Sequence, residues 1–111
     1  VLGSKVLVVG IAYKADIDDV RESPAFDIME LLHKQGAQVS WYDPLVPSLE
    51  GAWAGGKLAS WDVAALRGFD AAVIVTAHKS VDHSVLLAAD IAVVDSRHAL
   101  AGHDSPRLWQ L

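Results

Sequence analysis

Short apolar runs recur along the chain and predict buried β-strands. The run "KVLVV" at residues 5–9 has no polar position after its first residue, which is typical of a parallel sheet covered on both faces. A second run, "QVSWY" at residues 38–42, ends at an Asp-Pro pair that favours a turn. "DAAVIVTAH" from Asp70 and "IAVVDSRH" from Ile91 predict two further strands with polar carboxyl ends.

The segments between these strands carry the signals of helices. Ser23 followed by a proline supplies an N-cap side chain and a residue suited to the first helical position. The apolar side chains that follow lie largely on one face, and Gly36 is placed to end the helix, which is therefore predicted over about residues 24–35. Residues 62–67 and 81–88 predict two shorter helices.

Strands that alternate with helices predict an α/β fold with a doubly wound, mainly parallel, Rossmann-like sheet. The length of 111 residues suits a single domain, residues 1–111. Residues 44–60 combine prolines and glycines without a steady period, which predicts an irregular connection with at most one helical turn. The tail from residue 99 is predicted either to add an edge strand or to fold back over the core.

Composition and charge exclude several classes of function. The net charge of −5 argues against a broad electrostatic surface for nucleic acid or anionic membrane. No apolar run approaches the roughly 20 residues that cross a bilayer, so a cytoplasmic location is expected. The chain has no cysteine and therefore no disulfide or thiolate nucleophile. It begins with valine almost directly at a strand, and we expect a fragment of a longer protein.

Basic residues follow two of the predicted strands, at the edge where open α/β sheets bind ligands. Lys14 and Arg21 lie in the polar loop after the first strand, and Arg97 follows the fourth. The first predicted helix begins at this same edge and directs its N-terminal N–H groups towards it. Cations concentrated at one edge of an acidic chain predict a site for a phosphate-bearing ligand.

Each of these side chains also has a structural interpretation. Arg21 could pair with neighbouring surface acids, Lys14 could be solvated, and Arg97 could cap a strand end. The loop is not a dinucleotide fingerprint, because "GIAYKA" has one glycine where G-x-G-x-x-G has three. Long side chains rather than a glycine-rich backbone would then have to hold a diphosphate.

The sequence predicts no metal site. Asp16, Asp18 and Asp19 offer carboxylate oxygens of the kind magnesium prefers, but the lysine and arginine of the same loop compensate their charge. The five histidines form no H-E-x-x-H motif and have no cysteine partner, which argues against zinc. His78 and His98, each just after a strand, are further candidates for the ligand edge.

The stretch "GIAYKADIDDVRESPAFDIMELLHKQGAQVSWYDPLVP" resembles the start of the C-terminal, UDP-binding domain of the nucleotide-sugar 6-dehydrogenases. This family contains UDP-glucose, UDP-N-acetylglucosamine and UDP-N-acetylmannosamine dehydrogenases. "VIVTAHKSVD" is similar to the exit of the family's third strand, and "VVDSRHALAG" to its D-[ST]-R-N motif. The resemblance runs from Gly3 to Gly102, and "YK-x-DIDDVRESP" is more similar to the N-acetylated branch.

The resemblance implies an oxidoreductase that uses NAD to convert a UDP-sugar to the uronate, with polysaccharide biosynthesis as the setting. In such enzymes an N-terminal domain carries most of the NAD site and the catalytic cysteine, and the full-length protein is a homodimer or larger. By resemblance, Tyr13, Lys14 and Arg97 are substrate-binding, and Arg21 is cofactor-binding. No catalytic residue is assigned to these 111 residues, which we expect to be inactive alone.

The sequence departs from the family's pattern at two positions. Ala15 stands where lysine is frequent, and His98 stands where asparagine is frequent. Two other hypotheses remain beside the dehydrogenase. The chain could be a free-standing nucleotide or phosphosugar-binding module without catalysis, or a scaffold that serves association only. Neither accounts for "YK-x-D-x-x-D-x-R-E-S-P" together with a later "D-x-R" after a strand.

Overall fold

The structure is a computed structural model that describes residues 3–12, 23–49, 51–103 and 105–110. Its strands and helices alternate from β1 to β4. The elements are β1 (Lys5–Val9), α1 (Pro24–Lys34), β2 (Gln38–Tyr42), α2 (Val63–Leu66), β3 (Ala71–Ile74), α3 (Ser84–Ala88), β4 (Ala92–Asp95) and β5 (Leu108–Gln110). A single 3-10 turn at Gly51–Trp53 interrupts the long connection after β2. This turn agrees with the one helical turn allowed by the sequence.

The strands form one sheet in the order β2-β1-β3-β4-β5, and each of its neighbouring pairs is parallel. From β1 the chain moves outwards to β2 and then crosses back to β3 on the other side of β1. This reversal is the switch point of a doubly wound sheet, and it lies between β1 and β3. The predicted fold class is confirmed, and the tail supplies the edge strand β5.

Each face of the sheet has its own apolar core, because side chains of β1 alternate between the two faces. Val8 packs with α1 on one face, in a cluster that includes Met29 and Trp41. Leu7 and Val9 pack on the other face in a second cluster with α2 and α3. The helices therefore cover both faces, as the uninterrupted apolar sequence of β1 requires.

The first helix begins and ends at the predicted signals. The Ser23 side-chain oxygen accepts a hydrogen bond from the Ala25 N–H at 3.2 Å, and Pro24 occupies the first helical position. At the other end Gly36 adopts a φ of +90°, and its N–H donates to the His33 carbonyl at 3.0 Å. Because α1 connects the parallel strands β1 and β2, its N-terminus lies at the carboxyl edge of the sheet.

The third helix is shorter than predicted. It spans Ser84–Ala88, whereas the apolar pattern predicted residues 81–88. Asp82 prevents an earlier start because its carboxylate accepts from the Ser84 N–H at 3.1 Å and so forms a turn before the helix. No helix within the described residues is long and apolar enough to span a membrane.

Candidate functional site

The carboxyl ends of β1, β3 and β4 meet at the predicted edge of the sheet. Gly10, Thr76 and Ser96 follow these strands at this edge, and the switch point lies between β1 and β3. Tyr13, Lys14 and Arg21 lie outside the described residues, so the proposed contacts of these three side chains stay predictions. Arg97 is described, and its surroundings can be followed from the strands upward.

Gly10 allows the chain leaving β1 to pass close to β3. It adopts a φ of +90°, a backbone conformation that residues other than glycine rarely adopt. A Cβ atom built on Gly10 would overlap the carbonyl oxygen of Thr76 and lie 2.7 Å from its carbonyl carbon. The Gly10 N–H donates to the Tyr42 carbonyl at 2.8 Å. A glycine is thus required here by both backbone conformation and space.

Asp43, the first residue after β2, is a fully buried carboxylate beside the exit of β1. Its Oδ2 atom accepts from the backbone N–H groups of Ile11 and Ala12, both at 2.9 Å. Its Oδ1 atom accepts from the Leu45 N–H at 2.8 Å. The Nε2 atom of His78 lies 2.8 Å from Oδ2. One carboxylate therefore ties together the chain segments that leave β1, β2 and β3.

This environment keeps Asp43 ionised. Burial by itself would raise its pKa, but hydrogen bonds from Ala12, His78, Leu45 and Ile11 favour the charged form and outweigh it. The pKa of Asp43 is therefore lowered from its ordinary value. A buried carboxylate without these donors would instead be expected to take up a proton.

Two hydroxyl groups add cross-links between the strand ends. Thr76 Oγ1 donates to the Ala12 carbonyl at 2.8 Å, which joins the segment after β3 to the segment after β1. Ser96 Oγ donates to the Ile74 carbonyl at 2.6 Å, which joins the segment after β4 to β3. Both carbonyl groups are satisfied by side chains at the point where the sheet ladder ends.

Asp95, the last residue of β4, organises the turn that carries Arg97. Its carboxylate accepts from the Arg97 N–H at 3.1 Å, from the Ala99 N–H at 3.0 Å and from the Leu100 N–H at 2.8 Å. The Gln110 side chain of β5 also donates to it, at 2.9 Å. Burial by itself would raise the pKa of Asp95, but these hydrogen bonds outweigh it, so the pKa is lowered from its ordinary value.

Arg97 is exposed, yet its position is restrained. Its Nε atom donates to the Val75 carbonyl at 2.8 Å, so the side chain extends from the end of β4 to the end of β3. This hydrogen bond uses one of the five N–H donors of the guanidinium group. A structural role for Arg97 is compatible with a role in ligand binding. The hydrogen bond through Nε also orients the two terminal NH₂ groups of the planar guanidinium group.

The two histidine candidates differ in position. His78 is buried and directed at Asp43, so it supports the edge from below rather than presenting its ring at the surface. His98 is exposed and follows Arg97 with a φ of +56°, a conformation that is uncommon outside glycine. Only His98 therefore lies where a ligand could touch its ring.

The role of Asp43 was not predicted from the sequence, in which Asp43-Pro44 indicated only a turn. A polar residue directly after a strand, at the ligand edge of a parallel sheet, was the available signal. Its partners at residues 11, 12 and 78 lie 31 to 35 positions away. Thr76 was missed for the same reason, since Ala12 lies 64 positions away.

Two cavities bounded by described residues lie away from this edge. One of about 540 Å³ lies beside β2 and the C-terminal half of α1, where Glu30, His33 and Trp53 line it. The other, of about 340 Å³, lies at the amino ends of the strands and is lined by Lys5, Gln38 and Gly68 among others. Neither contains a predicted site residue, and the topological rule favours the carboxyl edge.

The doubly wound sheet, with a restrained arginine beside its switch point, defines a Rossmann-like domain of the type that binds nucleotides. The chain belongs to the UDP-glucose/GDP-mannose dehydrogenase family, and residues 7–102 match that family's UDP binding domain. This match confirms the resemblance recognised in the sequence.

Relatives include dehydrogenases for different sugars. The chain is 38% identical over 78 residues to the UDP-glucose 6-dehydrogenase TuaD of Bacillus subtilis, covering 68% of this chain and 17% of that protein. It is 34% identical over 74 residues to a UDP-N-acetyl-D-mannosamine dehydrogenase of Methanococcus maripaludis, covering 67% of this chain and 16% of that protein. The chain thus spans less than a fifth of these relatives.

A solved structure has the same fold. The UDP-N-acetyl-mannosamine dehydrogenase Cap5O from S. aureus superimposes with a TM-score of 0.68 and 28% sequence identity. The superposition covers 99% of this chain and 26% of Cap5O. The fold of this chain is therefore similar to that of about a quarter of Cap5O.

Proposed function

We propose that this chain binds the UDP portion of a UDP-sugar at the carboxyl edge of its sheet, with Tyr13, Lys14 and Arg97 as the contacting residues. The observation that carries the proposal is the hydrogen bond from Arg97 Nε to the Val75 carbonyl. This bond places a permanent positive charge beside the switch point, where doubly wound sheets bind nucleotides.

Local electrostatics support an anionic ligand at this position. The chain as a whole carries a net charge of −5, so distant charges do not attract a diphosphate. Attraction must come from groups at the edge itself, and a guanidinium group suits this task because it can pair with two phosphate oxygens at once. The N-terminus of the 11-residue helix α1 adds backbone N–H groups at the same edge.

The whole protein, in this proposal, is an NAD-dependent UDP-sugar 6-dehydrogenase in the cytoplasm. Residues 1–111 form its C-terminal, UDP-sugar-binding domain, and an N-terminal domain carries most of the NAD site. Arg21 contacts NAD from this side, and the full-length enzyme is a homodimer or larger. The small share of its relatives that the chain covers supports this division of labour. We expect no NAD reduction by the 111 residues alone.

We further propose a UDP-N-acetylhexosamine as the substrate, on the similarity of "YK-x-DIDDVRESP" to the N-acetylated branch. Relatives of both branches match the chain, so the full-length enzyme must be assayed. The test compares kcat/KM for UDP-N-acetylmannosamine, UDP-N-acetylglucosamine and UDP-glucose by NADH absorbance. A preference for UDP-glucose would contradict this assignment without affecting the proposed UDP site.

Titration of the 111-residue chain with UDP by calorimetry tests the site. Arg97→Ala is expected to weaken binding about 10- to 150-fold, since a charge-assisted hydrogen bond is worth about 1.5–3 kcal/mol. Arg97→Lys should restore part of the affinity because it keeps the charge without the planar fork. Uridine should be affected much less than UDP, because it lacks the diphosphate.

The matched control is Arg67→Ala. Arg67 is exposed and follows α2, and its neighbour Gly68 lines the cavity at the opposite, amino edge of the sheet. This variant removes the same charge from the chain and should change UDP affinity less than about twofold, because surface charges more than a Debye length apart are screened. Equal losses for Arg67→Ala and Arg97→Ala would refute a local site.

A further inference from the structure

We propose that Asp43 is a positioning residue for the UDP site. It holds the backbone of Ile11 and Ala12, the last two described residues before Tyr13 and Lys14 in the sequence. The inference rests on the proposed function, because Tyr13 and Lys14 are the proposed ligand contacts that follow this point. It adds a residue that does not touch the ligand and acts through the backbone of another segment.

The backbone of Ile11 and Ala12 needs an acceptor that the sheet does not supply. Both residues lie beyond the last residue of β1, and both are fully buried. Their N–H groups donate to Asp43 Oδ2, both at 2.9 Å. A buried N–H without a partner is costly, so the carboxylate determines the path of the chain at this point.

Asp43 itself is anchored to β2. The hydrogen bond between its Oδ1 atom and the Leu45 N–H, at 2.8 Å, orients the side chain within its own turn. One residue earlier, the Tyr42 carbonyl accepts from the Gly10 N–H at 2.8 Å. The carboxylate therefore occupies a position set by β2 when it accepts from the chain leaving β1.

The peptide groups of Ala12 are held from both neighbouring strands. Asp43, after β2, binds the N–H of Ala12, and Thr76, after β3, binds its carbonyl with Oγ1 at 2.8 Å. Since β2 and β3 flank β1 in the sheet, Ala12 is fixed from two sides. His78 contributes from the same side as Thr76, with Nε2 at 2.8 Å from Asp43 Oδ2.

Asp43→Asn is the most informative substitution for testing this role. Asp43→Asn keeps the size of the side chain, but one carboxylate oxygen becomes an NH₂ group that can only donate. At least one of the N–H groups now bound would then face another donor. We expect the variant to fold and to weaken UDP binding about tenfold, which corresponds to about 1.4 kcal/mol.

A double-mutant cycle with Lys14→Ala separates positioning from general destabilisation. If Asp43 acts by placing Lys14, then Asp43→Asn should weaken UDP binding by less than about threefold in the Lys14→Ala background. Ile91→Val is the stability control. Ile91 is buried just before β4, at the amino edge, and its variant should lower the melting temperature while leaving UDP affinity unchanged.

Thr76 provides an independent variant in case Asp43→Asn fails to fold. Thr76→Val removes the hydroxyl that binds the Ala12 carbonyl and should also weaken UDP binding, whereas Thr76→Ser keeps the hydroxyl and should restore it. The inference is overturned if the parent binds UDP and the folded Asp43 or Thr76 variants bind as tightly. It is also overturned if the losses from Asp43→Asn and Lys14→Ala add. Failure of the parent to bind UDP overturns the proposed function itself.

Discussion

Gly10 gives the most direct test of how the ligand edge is built. Replacing it with alanine adds a single Cβ atom to a residue with a φ of +90°. That atom would overlap the backbone carbonyl of Thr76, with the carbonyl carbon at 2.7 Å. The obstacle is backbone at the end of β3 and not the flexible tip of a side chain, so it cannot move away without shifting the strand.

The expected cost has two parts. A non-glycine residue at positive φ costs about 1–2 kcal/mol, and overpacking a close contact adds about 1–3 kcal/mol. The lower entropy of the unfolded chain returns about 0.4–1 kcal/mol. Gly10→Ala should therefore lower the free energy of unfolding by about 1–5 kcal/mol. For a domain of this size, that corresponds to a melting temperature about 4–20 °C lower, at about 4 °C per kcal/mol.

Gly102 supplies the matched control, because it has a similar φ of +85° but open space around its Cβ position. Gly102→Ala carries the conformational cost without the overlap, so its expected loss is about 0–1.5 kcal/mol. Urea unfolding followed by circular dichroism measures both variants. Equal losses at the two positions would refute the close approach of β1 and β3 at Gly10.

Three further outcomes are expected from buried groups. Asp43 and Asp95 have pKa values below their ordinary range, so their stabilisation is complete above about pH 4 and is lost as the pH falls through the folded-state pKa. Urea titrations from pH 5 to pH 2 should show this loss, with a smaller slope in Asp43→Asn. Burial lowers the pKa of His83, so the neutral side chain stabilises the fold fully above about pH 6.5. This stabilisation is lost as the pH falls from about 6.5 to the folded-state pKa, and His83→Phe should reduce the dependence of the free energy of unfolding on pH in this range. Leu86→Ala should cost about 2–5 kcal/mol because the side chain is fully buried, and a loss below 1 kcal/mol measured by thermal unfolding would contradict the packing under α3.

Much of the fold could be predicted because its signals are local. The run at Lys5–Val9 and the Ser23 and Gly36 caps each specify a structure through residues adjacent in the chain, and the structure has them where they were predicted. α3 differed because Asp82 competes for the first turn with its own hydrogen bond, a local effect that an apolar period does not reveal. The position of Arg97 at the ligand edge could be predicted from the parallel topology, since the carboxyl ends of all strands in a parallel sheet lie at one edge.

The sequence by itself determined where the first four strands and the first helix form and which basic side chain stands at the ligand edge. Tertiary structure alone decided that Arg97 extends to Val75, 22 residues away, and that Asp43 accepts from a segment about 30 residues earlier. Such partners depend on strand order, which places β1 between β2 and β3. A buried carboxylate pairs with whatever donors the folded chain brings within about 3 Å, and no local pattern encodes that distance.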